Sequence, residues 1–201
     1  MKASSSLIFC ISLLPLAVSS AYAASYVESV NGDLSTLPGA PTFISLDLGT
    51  NTVSGTVQAS TDTRDYFSFT ILPSQTLTGI FLLSYTDVNA GTTGNRGFIH
   101  IDDGLSSILP VSGTALLGGN HLDRSVYPLA TTNVLANLAT APLAGSGFTA
   151  PLGSGSYTIN VQQTGPQLTA YSLSLVVVPE PSVAVLMLVG LCSAVGIRRR
   201  K

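Results

Sequence analysis

Along much of the chain, apolar residues recur at every second position. Between Thr42 and Leu48, Ile44, Leu46 and Leu48 alternate with Ser45 and Asp47, the period of a half-buried strand. Gly49-Thr50-Asn51 breaks that run, and Thr52 to Gln58 resumes as a second strand with Val53, Thr56 and Val57 around Gly55. From Thr61 to Ile71, Phe67, Phe69 and Ile71 share one face while Tyr66, Ser68 and Thr70 share the other. A turn bearing Asp62 and Asp65 thus delivers an aromatic strand into the core. Leu77 to Tyr85 is nearly continuous apolar sequence, as expected of a central strand covered on both faces. Phe98, Ile99 and Ile101 form another strand, closed by the turn signal Asp102-Asp103-Gly104. Near the end, Tyr157, Ile159 and Val161 alternate with Ser156, Thr158, Asn160 and Gln162, and Tyr171, Leu173, Leu175 and Val177 with Ser172 and Ser174. With Thr164-Gly165-Pro166-Gln167 between them, these two runs predict a terminal hairpin.

Clean periodicity is lost from Leu105 to Pro151. Short strands are expected there near Ala115 to Leu117 and Ser125 to Leu129, while Thr132 to Ala141 admits a helix although Thr and Asn recur. Residues 24–41, polar and without a sustained period, are expected to form a lead-in arm. Short strands between Gly- and Pro-rich turns predict an all-β fold, a single antiparallel β-sandwich over residues 42–178.

The two ends follow different rules. Lys2, the apolar run Leu7 to Val18 and the small-x-small triplet Ala21-Tyr22-Ala23 make residues 1–23 a secretory signal peptide, cleaved after Ala23. This implicates signal peptidase and the general secretion machinery as partners. At the other end, Pro179-Glu180-Pro181 precedes an uncharged apolar run, residues 182–197, and the basic cluster Arg198, Arg199, Arg200 and Lys201. As a helix that run spans roughly 24 Å against a bilayer core of about 30 Å, a marginal membrane-spanning helix helped by snorkelling of its basic flank. The cluster would hold its end in the cytoplasm and leave the body on the far side.

This order of Pro-Glu-Pro, short apolar helix and terminal basic cluster over residues 179–201 resembles the PEP-CTERM sorting signal of Gram-negative bacteria that make extracellular polysaccharide. The resemblance implies recognition by an exosortase-type membrane protease and processing near Pro179, Glu180 and Pro181. It implies transient anchoring in the inner membrane with the body in the periplasm, then a place at the cell surface or in an exopolysaccharide matrix. The Ser-, Thr- and Asn-rich surface suits such a hydrated setting.

Composition sharpens the picture once the ends are removed. The whole chain of 201 residues has a formal net charge of −2. The body between Ala23 and Pro181 keeps three arginines (Arg64, Arg96, Arg124) against all 10 acids, a formal charge of −7. An acidic surface repels phosphate backbones and anionic headgroups, which argues against nucleic-acid binding. Both cysteines, Cys10 and Cys192, fall in the apolar end segments, so the body can form no internal disulfide.

The runs Val53-Ser54-Gly55-Thr56-Val57, Asp65-Tyr66-Phe67-Ser68-Phe69-Thr70, Gln75-Thr76-Leu77, Gly155-Ser156-Tyr157-Thr158-Ile159 and Tyr171-Ser172-Leu173-Ser174-Leu175 are similar to the bacterial pre-peptidase C-terminal (PPC) domain. That resemblance implies a non-catalytic, jelly-roll-like sandwich of a kind that in some members binds Ca²⁺ or polymers.

Few residues offer chemistry. His121, Asp123 and Ser125 are neighbours in one loop, with no nucleophile turn or oxyanion donors to place them as a triad. Asp87-Val88-Asn89-Ala90-Gly91 begins like a Ca²⁺ loop, but Phe98 stands where the closing Glu of an EF-hand belongs. Asp102 and Asp103, with Asp62 and Asp65 or with Asp87, are the Ca²⁺ candidates, although capping of its own turn is the favoured role for each. Glu28 and Glu180 sit at the two extremities of the body, an unpromising placement for a glycosidase pair. Tyr66, Tyr157 and Tyr171 are expected in core packing, and Tyr85 and Tyr127 at the surface. The sequence therefore assigns no catalytic residue and no certain cofactor. It favours a non-enzymatic exported protein with a structural or adhesive role. The alternatives are a secreted hydrolase or polysaccharide-modifying enzyme, and a permanently membrane-anchored periplasmic binding module.

Overall fold

The structure, a computed structural model, describes residues 24–59, 61–87, 97–107, 116–122, 127–163, 165 and 168–180. Its strands are β1 (Ser25–Val27), β2 (Thr42–Phe43), β3 (Gly49–Val57), β4 (Arg64–Ile71), β5 (Gln75–Asp87), β6 (Gly97–Asp103), β7 (Leu116–Leu122), β8 (Gly155–Gln163) and β9 (Thr169–Pro179). Two short helices, α1 (Glu28–Asn31) and α2 (Val134–Thr140), complete the list of described elements. One sheet has the order β1-β3-β9-β5 and the other β2-β4-β8-β6-β7. The all-β sandwich read from the alternation is therefore the observed architecture.

The period of two works as expected in the middle of each sheet. Val53 and Val57 of β3, Phe67, Phe69 and Ile71 of β4, Ile99 and Ile101 of β6, Ile159 and Val161 of β8, and Leu173, Leu175 and Val177 of β9 converge in one core. Their polar neighbours alternate onto the outer faces. Each such side chain, fully buried, contributes about 1.5–3 kcal/mol, which a body without disulfides needs.

The structure corrects several expectations. The closing runs do not form a hairpin: β8 pairs with β4 and β6, while β9 pairs with β3 and β5 in the opposite sheet. Alternation fixes which face of a strand is apolar, and two strands facing each other across a core show the same pattern as two strands side by side.

Leu77 to Tyr85 is not central either, because β5 is an edge strand. Its apolar run arises from breaks in register between Leu77 and Gly79 and between Leu82 and Ser84, which reset the alternation, and from α2 packing against it. The edge is closed by backbone and side-chain bonds: Ala130 N donates to Leu82 O at 2.8 Å and Asn133 Nδ2 to Thr78 O at 3.0 Å. Covering an edge in this way blocks strand addition by a second chain.

Of Thr42 to Leu48, only Thr42 and Phe43 pair as strand, and Gly49, Thr50 and Asn51 belong to β3 rather than interrupting it. Between them the chain crosses from one sheet to the other. Asn51 fixes the crossing, its Oδ1 accepting from Asp47 N at 2.8 Å and its Nδ2 donating to Asp47 O at 2.9 Å. The sandwich is also not wholly antiparallel, since β1 runs parallel to β3 and β2 parallel to β4 at one rim. Residues 24–41 supply β1 and α1, and Leu34 is buried in the core.

In the region without periodicity, β7 covers more than the strand expected near Ala115 to Leu117. Tyr127 to Leu129, the described part of Ser125 to Leu129, is not strand. The helix admitted at Thr132 to Ala141 is α2, capped by Asn133. The signal peptide with Ala21 and Ala23, and the tail from Pro181 through residues 182–197 to Arg198, Arg199, Arg200 and Lys201, lie outside the described residues. Among the described residues no helix is long and apolar enough to cross a membrane.

Candidate functional site

Carboxylates converge at one end of the sandwich. Asp65 opens β4 on the same face as Phe67 and Phe69, so the alternation that makes a core strand turns a carboxylate inward at its rim. Its Oδ2 accepts from the Tyr171 hydroxyl of β9 at 2.7 Å, and its Oδ1 is buried with no hydrogen-bond partner among the described residues. Asp65 is 0% exposed.

Glu28 arrives over the same spot because β1 lies parallel to β3. One carboxylate oxygen accepts from Leu34 N at 3.2 Å, and the other from Thr56 N at 2.7 Å and the Thr56 hydroxyl at 3.2 Å. Glu28, Asp33 and Asp65 each bring an oxygen within 4.8 Å of the others. Gly55 makes room for them: a Cβ there would stand 2.8 Å from Asp65 Oδ2 and from the Tyr171 hydroxyl, and 2.9 Å from Glu28 Oε1.

The electrostatics follow from burial without compensating charge. Burial, opposed by the Tyr171 hydrogen bond and reinforced by the charges of Glu28, Asp62 and Asp33, pushes the Asp65 carboxyl up to about 9. Asp62 is pushed up to about 6, by burial and then by Asp33 and Glu28. Glu28 is raised by burial, with its three hydrogen bonds pulling the other way. The Tyr171 hydroxyl is held well above its ordinary range by burial and by Asp65. Hard oxygen donors so spaced fit a Ca²⁺ ion, whose bonds of about 2.3–2.6 Å let ligand oxygens stand up to about 5 Å apart. The buried, unpartnered Asp65 Oδ1 is the further observation that suits a cation here.

The structure divides the candidate aspartates. It brings Asp62 and Asp65 together and adds Glu28 and Asp33, which the sequence did not suggest. Asp87 is the last residue of β5, paired through the backbone with Thr169. Asp102 is buried on the outer face of β6 and Asp103 is exposed, so neither joins the cluster.

A second polar group forms on that outer face. His100 Nε2 lies 3.2 Å from Asp102 Oδ2 and 3.1 Å from Ser107 Oγ. Ser107 bonds that ring nitrogen and Asp102 lies near the same atom without a hydrogen bond, while Nδ1 has no partner among the described residues. A Ser-His-Asp relay needs the carboxylate on one nitrogen and the nucleophile on the other, and this arrangement cannot pass a proton along. Of the loop trio, His121 is half-buried on β7, and Asp123 and Ser125 lie outside the described residues.

Three of the five tyrosines lie elsewhere than expected. Tyr85 and Tyr127 are buried: the Tyr85 hydroxyl accepts from Gly97 N at 3.0 Å, and that of Tyr127 donates to Asn137 Oδ1 at 2.7 Å. Tyr157 and Tyr171 pack in the core, while Tyr66 lies on the opposite face of its sheet. Replacing Tyr171 by Phe should cost about 1–3 kcal/mol, since it removes the hydrogen bond to the Asp65 carboxyl, and urea unfolding at pH 7 would measure it.

No family model matches this chain, and no curated protein or solved structure matches it either.

Proposed function

We propose that the chain is an exported, non-enzymatic β-sandwich, jelly-roll-like as in PPC domains, delivered by an exosortase-type protease to the cell surface or an exopolysaccharide matrix. Its role there is structural or adhesive. The observation that supports this reading is the placement of Pro179 and Glu180 at and just past the end of β9. β9 pairs with β5 up to Pro179 against Gln75, and Glu180 N donates to Ser74 O at 2.8 Å. Pro179 and Glu180 are exposed at the rim. Both follow Val177, the last core residue among those described, which suits a processing motif set just outside the packed strands.

Ca²⁺ at Glu28, Asp33 and Asp65 belongs to the same proposal as a structural ion tying the N-terminal segment to β3 and β4. The convergence of carboxylates also bears on the hydrolase alternative. Against it, Asp65 is fully buried and Glu28 is held by backbone N–H groups, so neither is free to meet a glycosidic bond.

Intact-mass spectra of the native protein from membrane, surface and medium fractions test the sorting. The expected body begins at Ala24 and ends at Glu180 or later, because a cut before Pro179 would first have to peel strand pairs from β5. If every fraction retains Arg198 to Lys201, the sorting proposal is lost and the anchored module takes its place.

A further inference from the structure

On the outer face of the five-stranded sheet, Arg64 of β4, Gln162 of β8, Phe98 of β6 and His121 of β7 stand in register on neighbouring strands. All four are half-buried. With about 4.8 Å between strands, the row is roughly 14 Å long. Arg64 Nε donates to Gln162 Oε1 at 3.1 Å, the guanidinium also faces the Tyr66 hydroxyl, and among the described residues no carboxylate pairs with Arg64. The Phe98 ring meets that of His121 edge-on at 6.2 Å between centroids. A Cβ at Gly119 would stand 2.7 Å from Phe98 Cζ, so the glycine is what allows this ring to lie along the sheet.

The adjoining row on the same face is Tyr66, Asn160 and His100, also in register and buried. Asn160 Oδ1 and His100 Nδ1 have no hydrogen-bond partner among the described residues, and the Tyr66 hydroxyl is met only by the Arg64 guanidinium. Buried polar groups are ordinarily paired, and two unpaired groups side by side next to a half-buried aromatic row are unusual.

We propose that this face binds a polysaccharide strand, with a pyranose ring against Phe98 and its hydroxyls bonded by Arg64, Gln162 and His121. The mixture of donors, acceptors and an aromatic surface selects that chemistry. A simple ion would leave the aromatic surface unused. An apolar peptide would bury Arg64 unpaired, at the cost of desolvating a charge. A nucleic acid meets a body of charge −7. The proposal rests on the exopolysaccharide setting proposed above, yet it fails separately, since mass spectra report on the tail and binding reports on the sheet.

The test is biolayer interferometry of the full chain in detergent on immobilised dextran and on immobilised alginate, neutral and uronate-bearing sources of the same ring chemistry. Binding to at least one polymer is expected. Phe98→Ala and Gln162→Ala should each weaken it at least tenfold, while Ser172→Ala on the other sheet leaves it unchanged. Loss in Arg64→Ala on alginate alone, relieved in wild type by salt, identifies the uronate polymer; equal loss on both identifies the neutral ring. Circular dichroism melts check folding, and if Phe98→Ala unfolds, the half-buried Gln162→Ala decides. No binding to either polymer, or wild-type binding by the folded variants, overturns the proposal.

Discussion

In a chelating buffer, raising the pH from 5 to 8 should lower the melting temperature of the protein by about 10 °C, and millimolar Ca²⁺ should restore most of the loss. The direction comes from Asp65, whose carboxyl rises from 3.8 to about 9 on folding. Between those values the folded chain holds a proton that the unfolded chain has released. Its contribution is fully present below about pH 4 and is lost as pH climbs through the folded value, the reverse of a salt-bridged carboxylate. One proton over three pH units is worth about 4 kcal/mol, and about 1 kcal/mol moves the midpoint of a body this size by 2–4 °C. Asp62, raised to about 6, adds to the slope below that pH, and Glu28, also raised, acts in the same direction.

Ca²⁺ acts by replacing the proton with a counter-charge and should therefore bind more tightly as pH rises. At one hundred times its dissociation constant it contributes about 2.7 kcal/mol. Asp65→Asn is expected to flatten the pH dependence and to abolish the response to Ca²⁺ together. A melting temperature indifferent to pH in wild type would remove the electrostatic account. A pH slope without a Ca²⁺ response would keep the buried carboxyl and dismiss the ion.

Asn133→Ala should destabilise the protein by about 2–3 kcal/mol and promote its self-association. One side chain serves two elements: Asn133 Oδ1 accepts from Ala136 N at 3.3 Å, capping α2, and from Ile80 N at 3.2 Å on β5, while Nδ2 donates to Thr78 O at 3.0 Å. A lost cap costs about 1 kcal/mol, and each remaining hydrogen bond about as much. The larger consequence lies at the edge of the sheet, where Ile80 N and Thr78 O would be free to pair with another chain. Calorimetry should show a fall of about 5–8 °C, and light scattering during slow heating an earlier onset of association. Asn133→Asp keeps the acceptor and loses the donor, so it should fall between the two. A melting temperature within a degree of wild type would mean that Ala130 and the packing of α2 suffice to close the edge.

Asn133 also shows how a residue can be plain in sequence while its role is not. It lies near the start of a stretch that admitted a helix, and capping is a local property. Its grip on β5 depends on two segments 53 residues apart meeting at the rim. The acidic end has the same character. Asp65 was legible as a carboxylate at the mouth of an aromatic strand, since two-residue alternation puts it on the face of Phe67. Glu28 seemed remote because β1 is only three residues long and too short to show a period.

What the sequence determined alone is what a strand carries within itself: the apolar faces of β3, β4, β6, β8 and β9, the all-β class, the acidity of the body, and its lack of cysteine. Side chains alternate because the backbone is extended, and that holds whichever strand lies alongside. The tertiary structure decided the partners: β8 and β9 facing each other across the core, β5 at an edge beneath α2, Glu28 beside Asp65, and Arg64, Gln162, Phe98 and His121 in one row. Those choices are made by packing between segments far apart in the chain, where no local period records them.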